Sequence, residues 1–379
     1  MLKPGLVHAR PLPGHSQAHP GVHPLSPLTS TQKFQPLPTP LGPPPYHYDL
    51  ETAVPGIGAQ AATSGKLIFH AVGDTGGIKN PAPQQSVADA MAANLTGANA
   101  PSFFYHVGDV VYYNGEVSEY YSQFYEPYAH YTPPIIGIPG NHDGDPINSS
   151  QTSLDGWVRY FMTPTPIVQP ESADAPRVTL SLPNVYFTLN CPFVTIVGMY
   201  TNVPDHGSID SIQQQWLTNE FATAPADKAL IVALHHPIYS FDAYHSGSPR
   251  MADAVQHAIN DSRRVPNMLF TAHVHNYQRI EKQLAGNSPT PFMVIGNGGY
   301  YNLHHLTVAN GAQDANTGAT MVFGDDKHHG YATITVDAKQ ISVTATTVAN
   351  THDKGSAAAD TASYPAGAIL LPDNVTVSL

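Results

Sequence analysis

The chain has one cysteine, Cys191, in 379 residues. No internal disulfide is possible, and the redox compartment stays open. Charge is also scarce: Asp, Glu, Lys and Arg make up 12% of the chain, with a formal balance of −12. That balance argues against nucleic acid and against an anionic membrane as partners. No run approaches the roughly 18–20 apolar residues that a spanning helix needs. The most apolar stretch, Ala229-Leu230-Ile231-Val232-Ala233-Leu234, has the length of a strand. There is no Gly-x-Ser-x-Gly elbow and no Gly-x-x-x-x-Gly-Lys-Ser/Thr loop, so a serine hydrolase of the elbow type and a P-loop enzyme are both poor readings. No internal repeat is visible.

What the chain does have is a 41% hydrophobic fraction, enough for a sizeable core, and 21 histidines. Residues 1–64 hold more than a third of the 36 prolines and five of the histidines (His8, His15, His19, His23 and His47). They show no apolar periodicity. Such a segment buries too little surface to offset its ordering entropy, so it is expected to be a tail or a surface arm with solvated histidines. Pro40-Leu41-Gly42-Pro43 fits a weak PxxP docking pattern. The segment lacks the apolar core of a secretory signal.

From residue 65 a single catalytic-size domain is expected to run to the end. Leu67–Val72 reads as a buried strand ending at Gly73-Asp74-Thr75-Gly76-Gly77. Gln84–Leu95 has helical spacing at Val87, Met91 and Leu95. Phe103–Val107 is a second strand, ending at Gly108-Asp109-Val110-Val111-Tyr112. This is a βαβ unit, whose strands should be parallel. Ser118–Tyr125 is expected to be a helix, and Ile135–Ile138 a strand ending at Gly140-Asn141-His142-Asp143. Arg177–Leu182, Val185–Leu189 and Phe193–Met199 suggest a meander. Ser208–Phe221 looks helical, with Ile209, Ile212, Trp216 and Leu217 on one face. Ala229–Leu234 ends at His235-His236-Pro237, and Pro249–Ile259 is a helix with proline at its start. Asn267–Thr271 ends at Ala272-His273-Val274-His275, and Phe292–Ile295 precedes Gly296-Asn297-Gly298-Gly299. Tyr331–Val336 and Gln340–Thr346 alternate like half-exposed antiparallel strands.

Each core strand is thus followed by a potential metal ligand: Asp74; Asp109 and Tyr112; Asn141 and His142; His235 and His236; His273 and His275. Taken singly, each has a plain structural account as a turn residue, a helix cap or a packed side chain. Turn chemistry does not explain five in a row at the carboxyl ends of strands, where open α/β sheets bind ligands. Asp109 reads as a carboxylate bridging two ions, and Tyr112 as a phenolate ligand to one of them.

This ordered set resembles the calcineurin-like metallophosphoesterases, over roughly 65–336, and within them the purple acid phosphatases. The general superfamily has Asp-x-His in the first block. Here Gly76 stands in place of that histidine, and Tyr112 appears in the second block. Gln215-Trp216-Leu217 and His235-His236-Pro237 support the match. Ala272 stands where the last block usually has glycine, and Asp143 where the third usually has glutamate. The resemblance implies an α+β, four-layer αββα sandwich: two mixed sheets face to face, with helices outside. The N-terminal β-sandwich of the plant enzymes is not expected in 64 strand-poor residues.

The resemblance further implies that Asp74, Tyr112 and His275 hold one ion and Asn141, His235 and His273 the other, with Asp109 bridging. Phenolate and carboxylates favour Fe3+, while imidazoles and an amide suit Zn2+, Fe2+ or Mn2+. The expected activity is hydrolysis of small phosphomonoesters at acidic pH by in-line attack of a metal-bound hydroxide. His142, and His245 in Tyr244-His245-Ser246, are the candidate catalytic residues. His236 is expected to be structural, and His304, His305, His328 and His329 to be solvated loop residues. The alternatives are a phosphodiesterase or nucleotide hydrolase on the same site, and an inactive metal-bound binding module. Family analogy points to a periplasmic or secreted protein.

Overall fold

The structure is a computed structural model, and it describes residues 33–285, 288–348 and 369–379. The strands in chain order are β1 His47–Asp49, β2 Leu67–Val72, β3 Phe104–His106, β4 Ile135–Gly137, β5 Phe187–Asn190, β6 Val194–Gly198 and β7 Ala229–Ala233. They continue with β8 Met268–Thr271, β9 Tyr277–Lys282, β10 Thr290–Ile295, β11 Thr320–Asp325, β12 Gly330–Val336, β13 Gln340–Thr347 and β14 Ile369–Ser378. They form two mixed sheets, eight strands in the order β1-β5-β6-β7-β8-β10-β9-β11 and six in the order β14-β13-β12-β2-β3-β4. As the βαβ reading requires, β2 and β3 run parallel, with helix Ala82–Ala93 between them.

The two sheets share one buried apolar core. Phe69 of β2 meets Phe270 of β8 with ring centroids 6.5 Å apart. Strands buried on both faces read as unbroken apolar runs, and every residue of β2 and β7 is buried. Helices Ser211–Thr223 and Pro249–Ser262 pack against each other, and Ala82–Ala93 packs on β12. The first two of these begin at Asp210 and Ser248, whose side chains accept from the backbone N–H of Gln213 and Met251. The α+β sandwich of two mixed sheets is therefore the observed architecture.

Several elements differ from the sequence reading. His47–Asp49, inside the stretch expected to be a tail or arm, forms the edge of the eight-stranded sheet, parallel to β5. The Trp216 indole donates to Pro45 O at 2.7 Å, and Tyr46 meets Tyr186 edge to face. The PxxP stretch lies on the body, with Leu41 and Gly42 donating to Pro183 O. His47 is partly exposed and pairs with Glu220 at 2.9 Å. His8, His15, His19 and His23 lie outside the described residues.

Ser118–Tyr125 is not an α-helix: Val117–Glu119 forms a 3-10 turn and Tyr121–Tyr125 a π turn. Arg177–Leu182 is not a strand; its ladder pairing is confined to the isolated bridges Val168–Val178 and Met162–Ser181. On helix Ser211–Thr223 the buried face is Gln213, Trp216, Leu217, Glu220 and Phe221, and Ile212 is 67% exposed. Among the described residues no helix is long and apolar enough to cross a membrane.

Candidate metal centre

The site forms along the seam where the carboxyl ends of β2, β3 and β4 meet those of β7 and β8. Asp74, Asp109 and His273 all have left-handed backbones, with φ of 55°, 54° and 67°. Few side chains tolerate that conformation. Here it turns the chain sharply off each strand and aims the side chain back along the sheet edge. Glycines clear the space: a Cβ on Gly108 would come within 2.5 Å of His235 Nδ1, and one on Gly140 would strike the Asp109 carboxylate.

The structure brings the seven expected ligands together. Tyr112 Oη donates to Asp74 Oδ1 at 3.1 Å and lies 3.4 Å from His275 Nε2. The same Asp74 oxygen is 3.6 Å from His275 Nε2. His235 Nε2 is 3.3 Å from Asp109 Oδ2, and Asn141 Oδ1 is 2.9 Å from His273 Nδ1. Ligating atoms of Asp109, His235 and His273 all lie within 4.8 Å of one another. Contacts also cross between the two expected groups: His235 Nε2 lies 4.0 Å from Asp74 Oδ1, and the Asp109 carboxylate meets His235.

Backbone groups hold the ligands in place. His235 Nδ1 faces Val107 O at 2.9 Å and His275 Nδ1 faces Asn302 O at 3.0 Å, which leaves each Nε2 turned to the cluster. The backbone N–H of His142 donates to Asp109 Oδ1, and that of His273 to Asp74 Oδ2. Asp143 is fully buried and accepts from the N–H of Val110, Val111 and Gly140. It thereby ties the Asp109 turn to the Asn141 turn, a task a shorter carboxylate performs as well as glutamate. The methyl of Ala272 is accommodated because it faces Gly73, where a Cβ would come within 2.6 Å of it. There is no room for a side chain at Gly76, since a Cβ there would strike Gln123 and come within 2.8 Å of the Tyr112 ring. The phenol occupies the space that a histidine at 76 would need.

Burial pushes Asp74 well above the usual carboxylate range, and the neighbouring Asp109 adds to it. Burial acts in the same direction on Asp109, but His235 and then His142 outweigh it and bring that carboxyl below its usual value. Burial lowers His235, and Asp109 more than reverses this, raising it to about 9. Burial pushes the Tyr112 phenol well up, and Asp74 and Asp109 push it further. Among the described residues the two buried carboxylates have only imidazoles as ionic partners, and His235 Nε2 faces Asp109 Oδ2. The donor set fits a metal pair.

The other histidines are placed as follows. His142 Nδ1 faces Tyr113 O at 2.8 Å, and its ring packs 4.6 Å from that of Tyr112. The His245 ring sits 4.6 Å from His273. His236 is buried, with Nδ1 at 2.7 Å from Thr201 Oγ1. His304 and His329 were expected to be solvated but are buried: His304 stacks 4.3 Å from His275, and His329 Nε2 faces Tyr300 O. His305 is exposed and His328 pairs with Asp325. Sequence reasoning missed Tyr300, whose ring lies 4.2 Å from Tyr112 and 4.4 Å from His275. Its signal was present, because it directly follows Gly298-Gly299 at the end of β10.

Two mixed sheets that bring carboxylates, imidazoles, an amide and a phenol to one seam define a metal-centred sandwich. The sequence profile of the calcineurin-like phosphoesterases matches residues 68–277, and the chain belongs to that family of metal-dependent phosphoester hydrolases. No curated protein matches the sequence significantly. Among solved structures, the purple acid phosphatase PPD1 of yellow lupin (Lupinus luteus) is similar at 17% identity and a TM-score of 0.56. That match covers 83% of this chain and 54% of the lupin chain, so this chain spans about half of that relative. GAP50 of Plasmodium, described as the anchor in the inner membrane complex, is similar at 14% identity and a TM-score of 0.51, covering 74% of this chain and 84% of that one. PhoD is similar at 14% identity and a TM-score of 0.50, covering 81% and 68%.

Proposed function

We propose that this protein is a phosphomonoesterase of the purple acid phosphatase type, working on small phosphate esters at acidic pH. The observation that carries this reading is the Tyr112 phenol, directed at Asp74 and His275 rather than into the core. We assign Asp74, Tyr112 and His275 to Fe3+, and Asn141, His235 and His273 to a divalent Zn2+, Fe2+ or Mn2+, with Asp109 between them. Such a pair supplies a Lewis acid and a nucleophile below neutral pH.

The chain's own residues do the rest. Asp109 and Asp74 fix the relative placement of the two ligand groups. We assign His142, whose Nδ1 faces Tyr113 O and whose ring packs beside Tyr112, as the proton donor to the leaving oxygen. His245 lines the same mouth above His273 and orients the substrate.

The test is elemental analysis and visible spectroscopy of protein purified without added metal, with hydrolysis of aryl phosphate and bis-aryl phosphate. Iron, a visible band lost in Tyr112→Phe, and preference for the monoester are expected. Colourless, iron-free protein refutes the ferric assignment, and preference for the diester favours a phosphodiesterase. Metal-replete protein that turns over no ester favours a binding module.

A further inference from the structure

Beside the metal pair lies a second convergence, which adds Asp205 to His245 and His273. Ligating atoms of Asp205, His245 and His273 all come within 4.8 Å of one another, and all three residues are partly open to solvent. His273 belongs to both clusters. Two imidazoles and one carboxylate with free positions facing water is a donor set that suits zinc.

The two outer ligands sit on loops whose shape is fixed. Asp205 lies in the turn after β6, where Asn202, His206 and Gly207 take left-handed backbones. Gly207 N–H donates to Pro204 O and Ser208 N–H to Thr201 O, both at 2.7 Å. Asn202 is gripped from outside: its Oδ1 accepts from Gln35 N–H and its Nδ2 donates to Gln35 O. His206 Nδ1 faces Gly247 O at 3.1 Å, which joins this turn to the loop carrying His245. That loop is closed by Asp242 Oδ2, which accepts from the N–H of Tyr244 and His245, and by Ser240 Oγ, which donates to His245 O. The donors are thus positioned before any ligand arrives. That lowers the ordering cost of binding.

A second observation points to a ligand here. The adjoining His236 Nε2 is fully buried and has no hydrogen-bond partner, and its ring lies 4.4 Å from His273. Imidazoles crowd this edge, since His304 also lies 5.3 Å from His245. Among the described residues the ionic partner of Asp205 is an imidazole, with His206 Nε2 3.7 Å from its Oδ2, and no Lys or Arg pairs with it.

We infer that Asp205 and His245, with His273 shared between this ion and the pair as an imidazolate that gives up its ring proton to solvent, bind a third, exchangeable divalent cation of the zinc class at the mouth of the site, and that this ion inhibits the enzyme. An ion there occupies the His245 ring and stands in the path of an incoming phosphate ester. This rests on the proposed reading of the metal pair.

The experiment titrates Zn2+ alone into the full-length, metal-replete protein, following bound metal by equilibrium dialysis and elemental analysis and activity on an aryl phosphate. The expected result is three ions per chain, with inhibition that parallels the third. In Asp205→Asn two ions remain and the inhibition midpoint shifts at least about tenfold upward. Circular dichroism controls for folding, and His245→Gln should reproduce the lost ion. If the wild type binds two ions and Asp205→Asn keeps both, the inference is overturned while the pair stands. Loss of an ion of the pair in Asp205→Asn also overturns it, because Asp205 then merely steadies His273. If the wild type holds a single ion that Asp205→Asn removes, the reading of the pair has failed instead.

Discussion

At the residue scale, much of the site's order rests on groups that bind no metal. Asp143 is the main case, since three buried N–H groups have their acceptor in its carboxylate. Asp143→Ala leaves them unpaired. It is expected to cost on the order of 3 kcal/mol or more in denaturant unfolding and to weaken metal retention. The Gly73–Ala272 contact gives a second test. Gly73→Ala puts two methyls in a space for one and should destabilise, whereas the double variant Gly73→Ala/Ala272→Gly should recover most of the loss in a double-mutant cycle. The candidate ligands were legible in the sequence because each follows an apolar run, so strand and donor could be read together. Asp205 gave no such signal. It sits in a turn shaped by the Asn202–Gln35 and His206–Gly247 contacts, which span 167 and 41 positions, and long-range contacts of this kind leave no local pattern.

At the element scale, the central strands were readable because both their faces are buried. The edges were not. β1 has three residues with only Tyr48 buried, and β11 is broken by a bulge between Met321 and Phe323. β9 and β14 escaped as well. Arg177–Leu182 alternates like a strand, yet Arg177 turns inward to donate to Pro133 O and Tyr128 O, and Val178 is 57% exposed. Tertiary hydrogen bonds overrode the local pattern there. The same argument assigns structural weight to the N-terminal arm. A chain beginning at Leu50 loses the β1–β5 pairing, the Trp216–Pro45 bond and the Tyr46–Tyr186 contact. Its unfolding free energy should fall by about 2–4 kcal/mol relative to the full chain, measured in urea.

At the scale of the whole molecule, buried imidazoles contribute a loss of stability in acid. Burial lowers His70 and His106 to about 3. Both are neutral in the folded protein, whereas the unfolded chain protonates them near the ordinary value of about 6.5. Their contribution is complete above about pH 6.5 and is lost as pH falls toward 3. Each should therefore lower stability by up to about 1.4 kcal/mol per pH unit through that window. His106 ties this to the site, because its Nδ1 accepts from Gly108 N–H, next to Asp109. Urea titrations at pH 7, 6 and 5 check the slope, and His70→Gln should flatten it.

Three of the ligand-bearing turns leave one sheet and two leave the other, so a bound pair of ions would rivet the halves of the sandwich together. The centre is then a clamp on the fold as much as a place where bonds are broken. Chelation should speed amide exchange in β2, β7 and β8 in concert, as a hinge does when its pin is drawn, while the far strands β11 and β14 change little.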